Sequence, residues 1–525
     1  MNKIPGILLL EGNKTYGRTP NKKRMYYKCI PNDPTKSPVL IPYDIFVGFV
    51  KKFTNRYVLY SVDESNESCA IMHENIGEVN QLEAFAQYRI HCRNLFFSMN
   101  AFNKKIRERN GEDILHEIIT NQQYNLVYCS EPAITIDPDS CLDFDDGFSV
   151  VSENKIQIHI ANPALWIDTI KAWNIFPGRT TTLYLPSKKE SMLPAYLSEE
   201  WCSLRKSKYV RVAFTLELDI DNDGNIDYEK SQLFNSIIRI SNNYVYETES
   251  CLNDNTYKYL KTIAEKRTGT IMDSHEVVEH WMITMNNFCG KQLAKQQTGI
   301  FRTAHYNSAQ NIIPDEIHLS EHMRKVMKEW GNVSGTYSLF QSQLQHVGLN
   351  LNEYVHITSP IRRKVDMVNQ MLLMNVKWNA DAQWNADAQW NADAQWNADA
   401  QWNADAQSFI DEHIQPKKVE EINRQYIESR KLQNECENLW WINDHPDALH
   451  QTYSGIIFDI IEQNCKNEKT IVVYIETLKK MIHVKIKEID DSLLKLYSEH
   501  KFQCYYFENE SKSYRKIRWQ YAYNK

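Results

Sequence analysis

Residues 133 to 150 read AITIDPDSCLDFDDGFSV, and this stretch limits the fold more than any other. Asp137, Asp139, Asp143, Asp145 and Asp146 crowd into ten positions between short apolar pieces of strand-forming composition. Like charges so close repel, and sheet core is a costly place to leave them bare. "AIT" leads in and "FSVVSENKIQIHI" leads out as strand, with a turn at Pro138 and Ser140 between them. That turn lets Asp137 fold back toward Asp143, Asp145 and Asp146. Four carboxylates converging in a partly buried place raise one another's pKa severely unless cations bind.

Hard oxygen ligands favour Mg²⁺, with Mn²⁺ as its substitute. Two such ions ~4 Å apart suit phosphodiester hydrolysis, one readying a water and the other steadying the leaving oxygen. The competing reading is a solvated acidic loop, as most charge runs are.

A chain of 525 residues can bury a large core and accommodates two to four domains. Its apolar share of 42% and charged share of 24% are those of an ordinary soluble protein. No apolar run approaches the ~20 residues of a membrane span, and MNKIPGILLLEGNK is too short in its apolar part for a signal peptide. Eleven scattered cysteines without a CxxC imply free thiols in a reducing compartment, so a cytoplasmic or nuclear, non-secreted monomer is expected.

The net charge of −7 argues against a global field for polyanions. Residues 378–407 are WNADAQ five times over, and without their five aspartates the acidic count falls from 67 to 62 against 60 basic residues. Any polyanion site is therefore a local basic path. Six residues turn a helix through ~600°, so the tryptophans form no helical seam. They alternate in strand register, but Asn, Asp and Ala are poor strand formers. The repeat reads as an inserted, mobile and functionally neutral segment.

The fold class expected is multidomain α+β. Residues 1–80 read as short strands of an OB or cold-shock-like barrel, and 81–130 as a helical connector. Residues 131–447, with the repeat inside them, mix strands and helices as an α/β catalytic domain, and 448–525 return to a second OB-like barrel.

Two motifs fail on inspection. DIDNDGNIDYEK (219–230) places Lys230 where a calcium loop needs its bidentate Glu, so a β-hairpin is the better reading. HEVVEH sets His275 and His280 five apart, hence ~140° apart on a helix, which suits no zinc site.

The acidic stretch survives, and it has company. TIDPDSCLDFDDGFSV resembles the signature of the ribonuclease II family, the RNB domain, which runs T-I-D, five residues, then D-x-D-D-A. In the family's order follow IQIHIANP, TTLYLPSKKESMLPAYLSEEWCSL, WMITMNNFCGKQL with FRTAH, and GTYS with HVGLNLNEYVHITSPIRRKVD. The similarity covers roughly residues 131 to 375.

The resemblance implies an RNB-type catalytic domain flanked by a cold-shock-like barrel and an S1-like barrel. It implies a processive, metal-dependent exoribonuclease that degrades single-stranded RNA from the 3′ end to nucleoside 5′-monophosphates. Asp137, Asp143, Asp145 and Asp146 are then the Mg²⁺ carboxylates, with Asp145 and Asp146 catalytic. Tyr184 packs on the terminal nucleotide. Arg362 and Arg363 contact RNA beside the scissile phosphate, where a fixed guanidinium steadies the charge of five-coordinate phosphorus. Arg362 carries the main load. Asp139 has no counterpart in the family pattern.

Three departures stand out: Asn162 for the family's Asp, Gly147 for its Ala, and Lys364 where Tyr is common. A second reading keeps the same fold as a catalytically silent RNA-binding protein. Aromatics stack on bases at ~1–3 kcal/mol each without reading sequence, and KKMIHVKIK and KSYRKIRWQYAY in the tail are plausible surfaces for tracking phosphates.

Overall fold

The computed structural model of the chain describes residues 3–44, 53–63, 66–221, 223–304, 320, 323, 335–341, 344–375, 402–462, 468–487, 495–509 and 514–522. Five strands come first: β1 (Ile4–Leu8), β2 (Met25–Pro31), β3 (Val39–Tyr43), β4 (Arg56–Asp63) and β5 (Asn66–Glu78). They close into a barrel in the order β1-β2-β3-β5-β4, with β4 pairing back onto β1. Alternation fills it: Leu8, Tyr27, Cys29, Ile41 and Val58 are buried in its core.

Helices α1 (Leu82–Cys92), α2 (Asn100–Arg107) and α3 (Gly111–Thr120) follow. Asn110 caps α3 by accepting from Glu112 N, which satisfies one of the open N–H groups of its first turn.

The central sheet has seven strands: β6 (Val127–Tyr128), β7 (Ala133–Asp137), β8 (Asp146–Ser152), β9 (Lys155–Ala161), and, beyond helix α4 (Pro163–Thr169) and the hairpin β10 (Leu183–Leu185) and β11 (Lys188–Glu190), β12 (Arg211–Ile220), β13 (Ile226–Ile238) and β14 (Ile240–Val245). Their order is β14-β7-β8-β9-β12-β13-β6, with β14 parallel to β7 and the centre antiparallel. Strand β9 is buried on both faces. Ile156, Ile158 and Ile160 join the main core, while His159 on the other side is held between Ser149 Oγ at 2.9 Å and Thr215 Oγ1 at 2.8 Å. A buried imidazole needs such partners, and here both ring nitrogens have one. The DIDNDG motif falls where β12 ends and β13 begins, with Ile220 paired to Ile226 and Gly224 at φ +87°, where a side chain would be strained.

Helices α5 (Glu249–Asn253), α6 (Asn255–Thr268) and α7 (Ser274–Lys295) come next, α7 opened by a reciprocal capping box of Asp273 and Glu276. Two small ribbons pair β15 (Ile300–Thr303) with β16 (Thr336–Leu339) and β17 (Gln345–His346) with β18 (Leu351–Asn352). Then come α8 (Lys364–Met374), α9 (Ala404–His413) and the long α10 (Pro416–Asp444). Helix α10 runs back against α1, where Glu435 accepts from Arg89 at 3.2 Å and Arg93 at 3.0 Å, and Arg93 also meets Glu428. A second closed barrel ends the described chain: β19 (Tyr453–Glu462), β20 (Glu468–Ile475), β21 (Lys480–Lys487), β22 (Glu499–Asn509) and β23 (Tyr514–Tyr521). Its order, β19-β20-β21-β23-β22, repeats that of the first barrel, and this shared five-strand path is OB-like.

The reading of the whole repeat as a neutral insert needs correction at its last copy. Trp402 sits edge-on to Trp173 at 6.3 Å and donates from Nε1 to Met371 O at 3.1 Å. Asn403 caps α9 through Ala406 N at 2.9 Å and donates to Asp168 at 2.5 Å. Residues 402–407 are thus the seat and first turn of α9. The copies at 378–401 lie outside the described residues. Among the described residues no helix is long and apolar enough to cross a membrane.

Candidate active site

The acidic loop connects the end of β7 to the start of β8, so Asp137 closes one strand and Asp146 opens its neighbour. A turn follows Asp137, with Cys141 N donating to Pro138 O at 2.9 Å. The loop is then clamped by the distant CSL motif. Ser203 Oγ accepts from Phe144 N at 3.0 Å and donates to Leu142 O at 3.1 Å, while Leu204 N donates to Phe144 O at 2.9 Å. Tyr246, just past β14, donates its N–H to Asp137 O at 3.2 Å. Backbone on both sides therefore fixes where the carboxylates point.

The SPIRR segment arrives from the other side. Asp145 Oδ1 accepts from Ile361 N at 2.9 Å, and its Oδ2 accepts from Arg362 Nε at 3.0 Å. Arg362 Nη2 also donates to Ser359 Oγ at 2.9 Å. Its neighbour Arg363 turns away, donating from Nε and Nη2 to Asp366 at 3.2 and 2.8 Å. Asn286 of the WMITMNN helix steadies the approach to this segment, accepting from Ile357 N at 3.0 Å and donating to Tyr354 Oη at 3.0 Å.

The TTTLYLP segment runs beside SPIRRK, with Thr182 N donating to Arg362 O and Lys364 N to Thr180 O, both at 2.9 Å. That pairing delivers Tyr184, which is 43% exposed and therefore no core aromatic, to the rim of the site.

Sequence reasoning placed four acids together, and the structure distinguishes among them. Both oxygens of Asp145 are occupied. Asp137, Asp143 and Asp146 each keep a buried Oδ2 with no hydrogen-bond partner. Burial pushes Asp145 up to about 7, more strongly than Arg362 and Ile361 N pull it down. Asp137 and Asp146 are also raised, by burial first and then by neighbouring carboxylate charge. Asp139 is exposed and takes no part.

Among the described residues no three His, Cys, Asp or Glu side chains stand close enough to hold a metal ion as they are, so the tight four-carboxylate convergence expected from the sequence is not what the structure draws. Cations already take two of the acids, Arg362 on Asp145 and Lys189 on Asp143 at 2.8 Å. The remaining open oxygens, hard, anionic and unpartnered, suit a divalent ion.

Sequence reasoning missed Lys189, Ser203 as a clamp, and Tyr246, whose hydroxyl is raised by burial and then by the Asp146 and Asp137 charges it faces. Lys189 lies directly across the β10–β11 hairpin from Tyr184, a register that the run of charged residues does not itself reveal. Tyr246 carried no local signal; only the parallel pairing of Val245 with Asp137 brings it in.

The three departures have definite places in the fold. Asn162 bonds Asn235 at 3.0 Å and has no hydrogen bond to an acid of the site. A Cβ on Gly147 would stand 3.0 Å from Ile134 O, so glycine relieves a tight spot. Lys364 is buried beneath the site, donating to Pro177 O at 2.8 Å with its ammonium 4.9 Å from the Phe176 ring centre.

The architecture is therefore a mixed sheet with acids at the facing ends of β7 and β8, flanked along the chain by two five-stranded OB-like barrels. Residues 127–266 and 252–379 match the RNB domain model, and the chain belongs to that family, the ribonuclease II family. It is similar to Exoribonuclease 2 of Salmonella typhi, 25% identical over 319 residues that are 46% of this chain and 49% of that one. The chain thus spans about half the length of the curated relatives it matches.

Among solved structures, Mycoplasma genitalium RNase R in complex with ribose methylated single-stranded RNA superposes with a TM-score of 0.66 at 15% identity, over 98% of this chain and 89% of that one. Yeast Ssd1, a pseudonuclease, superposes with a TM-score of 0.56 at 13% identity, over 92% of this chain and 65% of that one. These likenesses carry the fold.

Proposed function

We propose that this chain is a hydrolase that degrades single-stranded RNA from its 3′ end, processively, releasing nucleoside 5′-monophosphates, with Mg²⁺ as its ion and Mn²⁺ as a substitute. The observation that carries the reading is the set of buried, unpartnered Oδ2 atoms on Asp137, Asp143 and Asp146 beside a partly exposed Arg362. Stranded carboxylate oxygens of this kind are expensive in a protein with no use for them.

Asp137, Asp143 and Asp146 would hold the ion. When bound, it supplies positive charge that lowers the pKa of a water and neutralises phosphate oxygens. Every other part of the chemistry belongs to the chain. Asp145 is the holder of Arg362, fixing its Nε and leaving 42% of the side chain open toward substrate. Fixed in advance, that guanidinium steadies the extra charge of the transition state without reorganising. Tyr184 offers its ring to the terminal base, which stacks without regard to sequence. Arg363, locked to Asp366, fixes the turn that aims Arg362.

The test is a 3′-tailed, 5′-labelled single-stranded RNA incubated with the full chain, with Mg²⁺ or with chelator. Chelator-sensitive release of 5′-monophosphates from the 3′ end is expected. Tight RNA binding with no turnover under any divalent ion would refute the enzyme and leave an RNA-binding protein on the same fold.

A further inference from the structure

The hairpin LYLPSKKE has a two-residue turn, Pro186 and Ser187, and pairs Tyr184 directly with Lys189. Strand alternation sends the two adjacent lysines to opposite faces. Lys188 turns away to Glu190 at 2.7 Å. Lys189 turns into the site, where its Nζ lies 2.8 Å from Asp143 Oδ1, 3.6 Å from Glu199 Oε1 and 6.0 Å from the Tyr184 ring centre. Its side chain is 24% exposed and that of Asp143 9%, so this is a largely desolvated pair and not a surface contact.

Two of the four acids are thereby balanced by the chain's own cations, Asp143 by Lys189 and Asp145 by Arg362. What remains is Asp137 and Asp146, two negative charges that one divalent ion neutralises. A second divalent ion at Asp143 would stand against the Lys189 ammonium in a site where water screens little, and like charges there repel strongly.

Resting on the reading of these acids as a metal site, we infer that Lys189 is a built-in cation that holds one corner of it, so that the site takes one divalent ion where four carboxylates alone suggest two. Lys189 is a positioning residue in this account. It balances and orients Asp143 through their ion pair, and through its cross-strand partner ties that acid to the ring meant for the terminal nucleotide.

The test counts ions. The full chain is titrated with Mn²⁺ alone at mildly alkaline pH, with stoichiometry read by calorimetry and by electron paramagnetic resonance. Wild type is expected to bind one Mn²⁺ per chain. K189M is expected to bind two, with the broadened spectrum of two coupled ions, whereas K189R keeps one. Two ions on wild type would mean that Lys189 swings aside, for instance to Glu199, and would overturn the inference while leaving the metal reading intact. A K189M protein that binds one ion as wild type does would overturn it equally. No Mn²⁺ bound by any of the three would remove the metal reading itself, and this inference with it.

Discussion

Two segments of this chain are rich in aspartate, and they meet the fold in opposite ways. Between β7 and β8, Asp137, Asp145 and Asp146 are carried into the protein, and burial raises the pKa of each. In the repeat's last copy, Asp405 sits exposed in the first turn of α9, where the helix dipole favours a negative charge and nothing else is asked of it. The side chain is the same. The difference lies in what surrounds it: Ser203, Ile361 and Arg362 come from far along the chain to hold the first loop, while the repeat's described copy is held through its Trp and Asn. Composition thus marks both segments, but only tertiary contact turns one of them into a candidate site.

The contrast is broken most sharply by neutralising the bare acids. Asp146→Asn or Asp137→Asn is expected to lower hydrolysis of single-stranded RNA by at least about 10³-fold, with RNA affinity changed little, because the ion loses its ligands while the binding path lies elsewhere. Asp145→Asn is expected to be nearly as severe for another reason. It keeps an oxygen for Ile361 N but loses the charge that fixes Arg362. Single-turnover rates across a Mg²⁺ titration on the three variants decide between these causes: ion affinity should fall in the first two and hold in the third.

The two arginines sharpen the same point at a smaller scale. Arg362→Lys is expected to cost roughly 10²-fold in kcat with an unchanged Tm, since a lysine cannot reproduce a fixed guanidinium fork. Arg363→Lys should act mainly on stability, because Arg363, with 20% of its side chain exposed, is the ion-pair partner of the wholly buried Asp366. Equal loss of rate in two equally stable variants would contradict the division.

Raised carboxylates also make the ion-free protein sensitive to pH. The folded pKa of Asp145, about 7, lies above the ordinary carboxylate range, so between the two the folded state binds the extra proton. Its stabilising effect is complete at low pH and is lost as pH rises through about 7. The Tm of chelated protein is therefore expected to fall by on the order of 5 °C from about pH 5.5 to about pH 7.5. Mg²⁺ should recover part of that loss, and ion binding should release protons. Asp145→Asn should flatten the slope.

Much of this was legible in sequence because it is local. The strand–turn–strand around Asp137, the Asp-Gly hairpin at 223–224 and the barrel strands all follow from alternation and turn residues. What sequence could not rank were the acids. That Asp145 is occupied while Asp146 is bare depends on Ile361 and Arg362 arriving from more than two hundred residues away. Lys189 was hidden for a simpler reason: in a run of charged residues, only strand register tells which lysine turns inward. The repeat misled because five identical copies invite a single reading, whereas only the last is followed by Phe409 and Ile410, which pack into the main core.

That last copy yields the gentlest prediction. Asn375 at the end of α8 already reaches Gln407, with Nδ2 to Oε1 at 3.4 Å, and Trp402 donates to Met371 within α8. The two helices are thus neighbours, which a short link can join once residues 378–401 are removed. Loop closure favours the shorter link, by about 2 kcal/mol at most. Deleting 378–401 is therefore expected to leave Tm unchanged or slightly raised. Removing the whole repeat, 378–407, takes away Trp402 and the Asn403 cap, and is expected to cost about 3 kcal/mol. The Trp402→Ala variant should account for most of that difference, as measured by denaturant midpoint. If both deletions behave alike, the last copy is no more part of the fold than the four before it.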